Sequence, residues 1–309
     1  MSHFYSNGKL LLTGEYVVLD GALSLALPTI FGQSLQVEKL NEPKLLWESF
    51  SSENELWLQV EFDLPQLKIV SETFNSQKEG GNDSFALTLQ HILQEAKKLN
   101  SNFLTNNDSF YVKTTLTFPQ NWGLGSSSTL INNIANWANI DAFTLQFNTF
   151  GGSGYDIACA QHNVPIIYQL QNSKPMVNEV SFNPSFKDQL YFVHLNKKQN
   201  SREGIAAYKK HKDNNASAIA EISAITKEIT SCNSITDFEH LLKEHENIIA
   251  SISKQKTVRQ QLFADYTGQT KSLGAWGGDF ILATGDEDTP TYFKQKGFNT
   301  IIPYPNMIL

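Results

Sequence analysis

The segment WGLGSSSTL, residues 122–130, combines residue types that could bind a phosphate group. Glycine lets the backbone approach a ligand closely, and serine or threonine hydroxyls can cap a helix or reach a phosphate. An apolar pattern with helical spacing follows, and the first turn of a helix attracts anions through its free N–H groups and its dipole. An ordinary capped helix after a tight turn would give the same composition. The residues predicted to form a phosphate-binding loop are Gly123, Leu124, Gly125, Ser126, Ser127 and Ser128.

The elements on either side of this segment are those that a phosphate loop needs. The run KTTLTF, residues 113–118, is predicted to be a strand that ends at Pro119, and residues 129–137 are predicted to be a buried helix. Two better-known loops do not fit. An ATPase P-loop has a lysine after its last glycine, where this chain has Ser126. A dinucleotide-binding loop has Gly or Ala where this chain has Ser128.

Three further segments place chemically useful residues beside glycines. In NGKLLLTGEYVVLDG, residues 7–21, Lys9 precedes an apolar run, and the Asp-Gly pair indicates a hairpin turn. In GGSGYDIACA, residues 151–160, Asp156 follows three glycines and could cap a helix. In LGAWGGDF, residues 273–280, glycines precede a strand-like run, as in a bulge or a tight turn. Taken singly, each segment has such a structural explanation.

Together, the four segments resemble the motifs of the GHMP kinase superfamily, which includes galactokinase, homoserine kinase, mevalonate kinase and phosphomevalonate kinase. They occur in the family's order and span nearly the whole chain, and the combination of GEY, GLGSS and GSGYD is specific. The resemblance implies an α+β, two-domain GHMP kinase fold. Residues 1–185 would form an ATP-binding domain like domain 2 of ribosomal protein S5, and residues 186–309 a ferredoxin-like domain.

The resemblance also implies an activity, which is transfer of the γ-phosphoryl group of ATP to a small anionic acceptor. The GEY and GYDIA segments favour phosphomevalonate over mevalonate. Lys9 and Asp156 would be catalytic, the loop at 123–128 would bind ATP, and the Ser127 hydroxyl would bind Mg²⁺. The residues expected to contact the acceptor are Glu15, Tyr16, Ser153, Gly154, Ser201, Arg202, Gly274, Trp276 and Gly277.

The helix start at Ser201 and Arg202 is the predicted site for the acceptor's anionic group. The run KKQNSREGI, residues 197–205, follows a predicted strand and begins a predicted helix. Ser201 could simply cap that helix. Alternatively, the helix start and the Arg202 guanidinium could bind a phosphate or carboxylate together.

The chain departs from the family pattern in three places. Asn7 replaces a proline, Trp276 and Asp279 interrupt the third motif, and Leu145 and Gln146 stand where mevalonate kinases have a magnesium-binding glutamate. Two other functions therefore remain open. One is a binding or regulatory protein that has this fold and no turnover, and the other is an ATP-dependent decarboxylase of the mevalonate pathway.

Composition narrows the class of protein further. A chain of 309 residues with 40% hydrophobic content can form two domains. Its net charge of −7 and lack of a basic block argue against nucleic-acid binding. Two cysteines, Cys159 and Cys232, indicate a reducing, cytoplasmic setting. We expect a small-molecule substrate, no membrane span, no signal peptide and a monomer or homodimer.

Other elements follow from hydrophobic periodicity. Strands and turns are expected over 4–40 and 44–70, and further strands at 165–170, 189–195, 280–284 and near 300. Helices are expected over 83–99, 202–232, 235–252 and 255–268. His240 and His245 are five residues apart, so they do not form a metal-binding pair on one helix face.

Overall fold

A computed structural model of the chain describes residues 1–74, 85–105, 108–197, 201–210, 215–274 and 276–309, without the side chains at 201–203 and 207. The strands are β1 Ser2–Leu11, β2 Ser24–Lys39, β3 Lys44–Phe50, β4 Leu56–Asp63, β5 Ile69–Phe74, β6 Phe110–Leu116, β7 Ile166–Gln171, β8 Lys174–Glu179, β9 Leu190–His194, β10 Thr270–Ser272, β11 Phe280–Thr284 and β12 Ile301–Pro303. The helices are α1 Phe85–Leu99, α2 Ser126–Ala138, α3 Ala142–Thr149, α4 Tyr155–Gln161, α5 Ser201–Lys210, α6 Ala216–Ser231, α7 Ile235–Ser253, α8 Val258–Leu262 and α9 Thr289–Gln295. The predicted α+β class is confirmed.

The first compact unit contains Met1–Gly8, Phe31–Gln120 and Leu124–Gln161. Its strands pair in the order β5-β4-β3-β6-β2, antiparallel except for β3 with β6. Helices α1, α2 and α3 contribute to its core. In α1, Leu89, Ile92, Leu93 and Ala96 are buried at helical spacing, whereas Phe85, the first residue of the helix, is 51% exposed.

The second unit contains Lys9–Ile30, Asn121–Gly123 and His162–Leu309. The first residues of β2 pair with β7, and β7 pairs with β8. A separate antiparallel sheet has the order β10-β11-β9-β12. Its core includes Val193, Phe263, Ile281 and Phe293.

The two units do not divide the chain at one point. Residues 9–30 and 162–185, which the sequence-based division places in the first domain, cluster with the second unit. The physical reason is that β1 and β2 are long strands, so different parts of each strand make contacts in different units.

Two predicted elements, at VVL and at 255–268, differ from the structure. The apolar run VVL forms a 3₁₀ helix, Val17–Asp20, because Gly21 adopts a left-handed conformation and its N–H closes the turn on Val17 and Val18. The predicted helix over 202–232 is described as α5 and α6, and residues 211–214 between them lie outside the described residues. The predicted helix over 255–268 is only α8.

The short length of α8 has a local cause. The Thr257 side chain and Gln260 form a capping box that starts the helix. The Arg259 guanidinium then donates hydrogen bonds to the carbonyls of Tyr266 and Gly268, and these carbonyls belong to a turn. Across the residues described, no helix combines the length and apolar character needed to span a membrane.

Candidate active site

The predicted order of strand, glycine-rich loop and helix is confirmed. Strand β6 is followed by a 3₁₀ turn, Gln120–Trp122, and α2 begins at Ser126. Gly123 and Gly125 have φ angles of 68° and 89°, which residues with a side chain rarely adopt. The Gly125 carbonyl accepts the first helical N–H, from Thr129, at 3.0 Å. The loop therefore turns directly into a helix N-terminus, which is the geometry that binds anions.

The hydroxyl groups in the first turn of α2 have different surroundings. Ser128 is buried and donates to the Gly125 carbonyl at 2.8 Å. Thr129 is buried and lies 2.7 Å from Oε1 of Gln33. Ser126 is partly buried and Ser127 is exposed. Ser128 and Thr129 thus stabilise the loop and helix, and the Ser127 hydroxyl is accessible to a ligand.

A buried polar network holds α2 within the first unit. Ser6 of β1 donates to Oδ1 of Asn133 at 2.8 Å and accepts from Asn132 at 2.9 Å. Gln161, the last residue of α4, donates to Oδ1 of Asn132 at 3.0 Å. These bonds join α2 to α4, the helix whose first turn contains Asp156.

Asp156 is the second residue of α4 and is partly buried. It therefore lies inside the helix. The structural explanation from sequence, in which Asp156 caps the helix, would have placed it at the N-cap. The preceding loop needs its glycines, because Gly151, Gly152 and Gly154 all have positive φ angles. Gln146 fixes this loop by donating to the Gly151 carbonyl at 2.9 Å.

Within the second unit, residues 121–123 are held by side chains near β11. The Asn121 carbonyl lies 3.1 Å from Nε2 of His194, and the Trp122 ring packs edge-on against Phe280, with ring centroids 5.4 Å apart. A Cβ atom at Gly123 would overlap the carboxyl group of Asp279. The space beside Asp279 and the positive φ both require glycine at position 123.

Lys9 is partly buried, and its ammonium group donates to the Gly123 carbonyl at 2.8 Å. The two residues are 114 positions apart in sequence. A Cβ atom at Gly274 would lie 4.0 Å from the same ammonium nitrogen. Three of the four segments, residues 7–21, 122–130 and 273–280, therefore meet at the Lys9 ammonium.

Tyr16 connects the glycine-rich loop at 274–277 to α5. Its φ angle of 65° is unusual for a residue with a bulky side chain. Its hydroxyl accepts a hydrogen bond from the Trp276 backbone N–H at 3.3 Å. A Cβ atom at Gly204, in the first turns of α5, would lie 2.9 Å from that hydroxyl. The Tyr16 and Tyr208 rings stack, with centroids 5.6 Å apart.

We expect Gly204→Ala to destabilise the protein. At an exposed helix position, replacing glycine with alanine stabilises a protein by about 1 kcal/mol. Here the added methyl group must displace the buried Tyr16 hydroxyl, so the expected sign is reversed. Urea unfolding of the variant and the wild type measures this difference. An increase in the free energy of unfolding would show that Tyr16 does not pack against α5.

A fully buried ionic cluster includes Glu15, the residue before Tyr16. Its members are Glu15, His245, Glu246 and Lys271, and it is called the buried tetrad below. Lys271 Nζ donates to Oε1 of Glu15 and lies 3.4 Å from Oε1 of Glu246. Glu246 also accepts from the Ser272 N–H at 3.1 Å and from the Ser272 hydroxyl at 3.2 Å. The side chains of Glu15 and Lys271 are 0% exposed.

Burial dominates the electrostatics of the tetrad. Loss of solvent raises the pKa of the Glu15 carboxyl to about 7, although Lys271 opposes the shift. Burial also raises the pKa of Glu246, again opposed by Lys271. The pKa of His245 is well below its usual value, first because of burial and then because of the Lys271 charge. His245 is therefore neutral at physiological pH.

Comparison with known proteins reveals similarity of structure only. No protein-family model matches the chain, and no curated protein sequence matches it. A mevalonate kinase crystal structure superposes with a TM-score of 0.71 at 14% identity and covers 98% of both chains. Phosphomevalonate kinase of Streptococcus pneumoniae, in complex with phosphomevalonate and AMPPNP, superposes with a TM-score of 0.67 at 15% identity, over 96% of both chains. Lactococcus lactis galactokinase, complexed with galactose, gives 0.65 at 13%, over 95% of this chain and 88% of that one.

The chain has the GHMP kinase fold. The fold inferred from the four motifs is thereby confirmed, over nearly the whole chain.

Within this GHMP fold, each unit contains some of the residues of the predicted site. The first unit contains Leu124, Gly125, Ser126, Ser127, Ser128, Ser153, Gly154 and Asp156, and the second contains Lys9, Glu15, Tyr16, Gly123, Ser201, Arg202, Gly274, Trp276 and Gly277. Ser153 is buried. Ser201 and Arg202 begin α5, but their side chains lie outside the described residues. Trp276 is 1% exposed, and its indole N–H has no hydrogen-bond partner among the described residues.

Three residues of the buried tetrad were missed from the sequence, namely His245, Glu246 and Lys271. A signal for the first two exists in α7. Phe238, Leu241, Leu242 and Ile249 form the buried stripe of that helix, and His245 and Glu246 occupy positions of the same stripe. Polar residues on a buried helix face must find partners, so their positions indicate an interior polar cluster.

The donors for a metal ion are sparse in the described part of the chain. No group of three or more His, Cys, Asp or Glu side chains there could hold a metal ion. Mg²⁺ needs few protein ligands, because it retains several waters and binds substrate phosphates. A single accessible hydroxyl, that of Ser127, fits a magnesium ion that arrives bound to a nucleotide.

Proposed function

We propose that the protein is an ATP-dependent GHMP-type kinase that phosphorylates a small anionic alcohol, with phosphomevalonate favoured over mevalonate. The observation that carries this proposal is the hydrogen bond from Lys9 to the Gly123 carbonyl, with Gly274 beside the same ammonium. It gathers parts of three motifs around one cation. Phosphoryl transfer needs such a cation next to the loop that holds the polyphosphate.

The proposed reaction divides three tasks among the residues. The N-terminus of α2 and its glycine loop bind the phosphates of ATP. Lys9 offsets negative charge on the transferring group. Asp156 orients the acceptor hydroxyl and receives its proton while the acceptor oxygen bonds to the γ-phosphorus and ADP leaves. A bound Mg²⁺ would neutralise phosphate charge, with the Ser127 hydroxyl as its ligand.

The acceptor proposal rests on the surroundings of Tyr16. Through its hydroxyl, Tyr16 joins the Trp276 backbone to the beginning of α5, where Ser201 and Arg202 lie in sequence. A helix start and an arginine both favour phosphate or carboxylate. The buried indole N–H of Trp276 is a further donor that a polar acceptor could satisfy. The structurally similar Streptococcus pneumoniae enzyme binds phosphomevalonate, which supports the same choice here.

One experiment tests both levels of the proposal. ATP consumption is measured with mevalonate, phosphomevalonate, homoserine and simple sugars, and released carbon dioxide is assayed in parallel. We expect turnover with phosphomevalonate and no carbon dioxide. Carbon dioxide release would identify the decarboxylase alternative. If none of these acceptors supports ATP consumption, the binding or regulatory alternative is favoured.

We expect Ser127→Ala to weaken magnesium-dependent ATP use while sparing the fold. The hydroxyl is exposed, so its removal costs little stability, and it is one metal ligand among several. Titration of activity with Mg²⁺ measures the effect, and Ser126→Ala, one residue away in the same turn, is the matched control. If Ser126→Ala shows the larger shift, the metal-binding role belongs to Ser126.

A further inference from the structure

The buried tetrad contains an excess of negative charge if both carboxyl groups are ionised. It has two carboxyls, Glu15 and Glu246, one ammonium, Lys271, and one neutral imidazole, His245. Unpaired charge is strongly disfavoured in an interior without water. Both carboxyl oxygens of Glu246 accept hydrogen bonds from Ser272, which stabilises its ionised form, whereas Oε2 of Glu15 has no hydrogen-bond donor among the described residues. The carboxyl that carries the compensating proton is therefore Glu15.

The hydrogen bonds of His245 indicate where this proton lies. The Gly14 N–H donates to His245 Nε2 at 3.0 Å, so this ring nitrogen accepts and carries no proton. Glu15 Oε2 lies 3.3 Å from the same nitrogen. Oε2 is buried and accepts no hydrogen bond among the described residues, so an ionised Glu15 would leave negative charge there without a donor. A proton on Oε2 turns this contact into an O–H to nitrogen hydrogen bond that the ring nitrogen shares with Gly14.

The tetrad is connected to two segments of the proposed active site. Glu15 lies between Gly14, which is bonded to α7, and Tyr16. On the other side, Lys271 and Ser272 belong to β10, which ends two residues before Gly274. The Ser272 carbonyl accepts from Lys271 Nζ at 2.6 Å. The tetrad thus fixes the backbone of the turn at 14–16 and of β10, and the chain leads from β10 to Gly274 beside the Lys9 ammonium.

We propose that Glu15 is a positioning residue that holds a proton on Oε2 toward His245 in the folded protein at mildly acidic pH, and that this neutral carboxyl keeps the turn at 14–16 and strand β10 in the geometry needed for catalysis. The second half of this statement rests on the proposed kinase function. The groups that face Glu15 are Lys271 on β10, His245 and Glu246 on α7, and Tyr16 on its own turn. The raised pKa of Glu15 is consistent with the proposal.

Unfolding as a function of pH tests the proton through Glu15→Gln. The pKa of the Glu15 carboxyl rises from its usual value of 4.5 to about 7 in the folded protein, so the folded state binds the proton more tightly than the unfolded state does. The folding equilibrium constant of the wild type, divided by that of Glu15→Gln, should therefore fall roughly 100-fold as pH rises from 4.5 to about 7. An ionised, salt-bridged Glu15 would give the opposite sign, since its stability would be lost toward acid pH. A flat difference also overturns the proposal.

Infrared spectroscopy tests the proton without depending on how well the variant folds. In wild-type protein with ¹³C-labelled glutamate at pH 6, the carbonyl stretch of a protonated carboxyl should be present and should disappear as pH rises past about 7. The band should be absent from Glu15→Gln and should remain in Glu244→Gln, on the exposed side of α7. A band that remains in Glu15→Gln belongs to another carboxyl, such as Glu246, and overturns the proposal. Absence of the band from the wild type at pH 6 overturns the proposal.

The positioning role is tested by the pH profile of turnover. We expect wild-type turnover to fall as pH rises, with a midpoint near pH 7, and we expect this fall to be absent from Glu15→Gln. Glu246→Gln removes a neighbouring negative charge and should move the midpoint to lower pH. An unaltered profile in Glu15→Gln overturns the positioning role. If the wild type consumes no ATP with any acceptor, the kinase function fails, whereas the infrared and unfolding results still decide whether Glu15 holds the proton.

Discussion

Replacement of Asp156 with alanine is expected to lower turnover by at least ~10²-fold and to leave the ATP KM nearly unchanged. The reason is that Asp156 is proposed to orient the acceptor hydroxyl and to receive its proton, whereas the phosphate loop binds the nucleotide. Steady-state kinetics with ATP and the acceptor varied separately measure both effects. Asp156→Asn preserves the shape of the side chain and separates proton transfer from packing.

Asp141→Ala is the control for damage to the fold. Asp141 is an exposed N-cap whose carboxylate accepts from the Thr144 N–H at 2.7 Å in the same unit. Its removal should cost about 1 kcal/mol of stability without a comparable loss of turnover. Near-normal turnover in Asp156→Ala would contradict the catalytic role of Asp156.

Replacement of Arg202 with alanine is expected to raise the KM of the acceptor by roughly 10- to 150-fold, which corresponds to the loss of a charge-assisted hydrogen bond of about 1.5–3 kcal/mol. The ATP KM should change much less. Arg202 is at the beginning of α5, the helix that packs on Tyr16 through Gly204. Arg202→Lys retains the charge without the planar fork and should give an intermediate KM.

Arg259 is the only other arginine and serves as the control for loss of a guanidinium group. It donates to the Tyr266 and Gly268 carbonyls, so Arg259→Ala should reduce stability and leave the ratio of the two KM values unchanged. If Arg202→Ala alters neither KM, the anion site lies elsewhere, with Lys9 and the loop at 274–277 as the remaining places. If the protein phosphorylates a neutral sugar but neither mevalonate nor phosphomevalonate, the acceptor proposal is contradicted and the kinase proposal stands.

Local sequence patterns predicted the order of strand, glycine-rich loop and helix correctly, because the geometry of this segment depends on neighbouring residues. Gly123 and Gly125 supply backbone angles, and Ser128 supplies a hydrogen bond within one helical turn. The fold was predictable for a different reason. Its four motifs occur together and in order, whereas the Asp-Gly signal in a single segment predicted a hairpin where Val17–Asp20 forms a 3₁₀ helix.

The buried tetrad could not be predicted in the same way, because its members are far apart in sequence. Glu15 and Lys271 are separated by 256 positions, and no local rule relates a turn near the N-terminus to β10. The polar positions in the buried stripe of α7 predict only that some partner exists. The contact between Lys9 and the Gly123 carbonyl could not be predicted from sequence either, because every residue has a backbone carbonyl.

The hydrogen bond between the Gly14 N–H and His245 has a consequence that can be measured without any substrate. This amide is buried, and its acceptor belongs to α7, so it can exchange with deuterium only when the turn separates from that helix. The rate of deuterium uptake at Gly14 therefore counts the spontaneous opening events of this turn. Because the nitrogen that Gly14 uses is the one that faces Glu15, the same uptake rate should report each change in the proton held beside it.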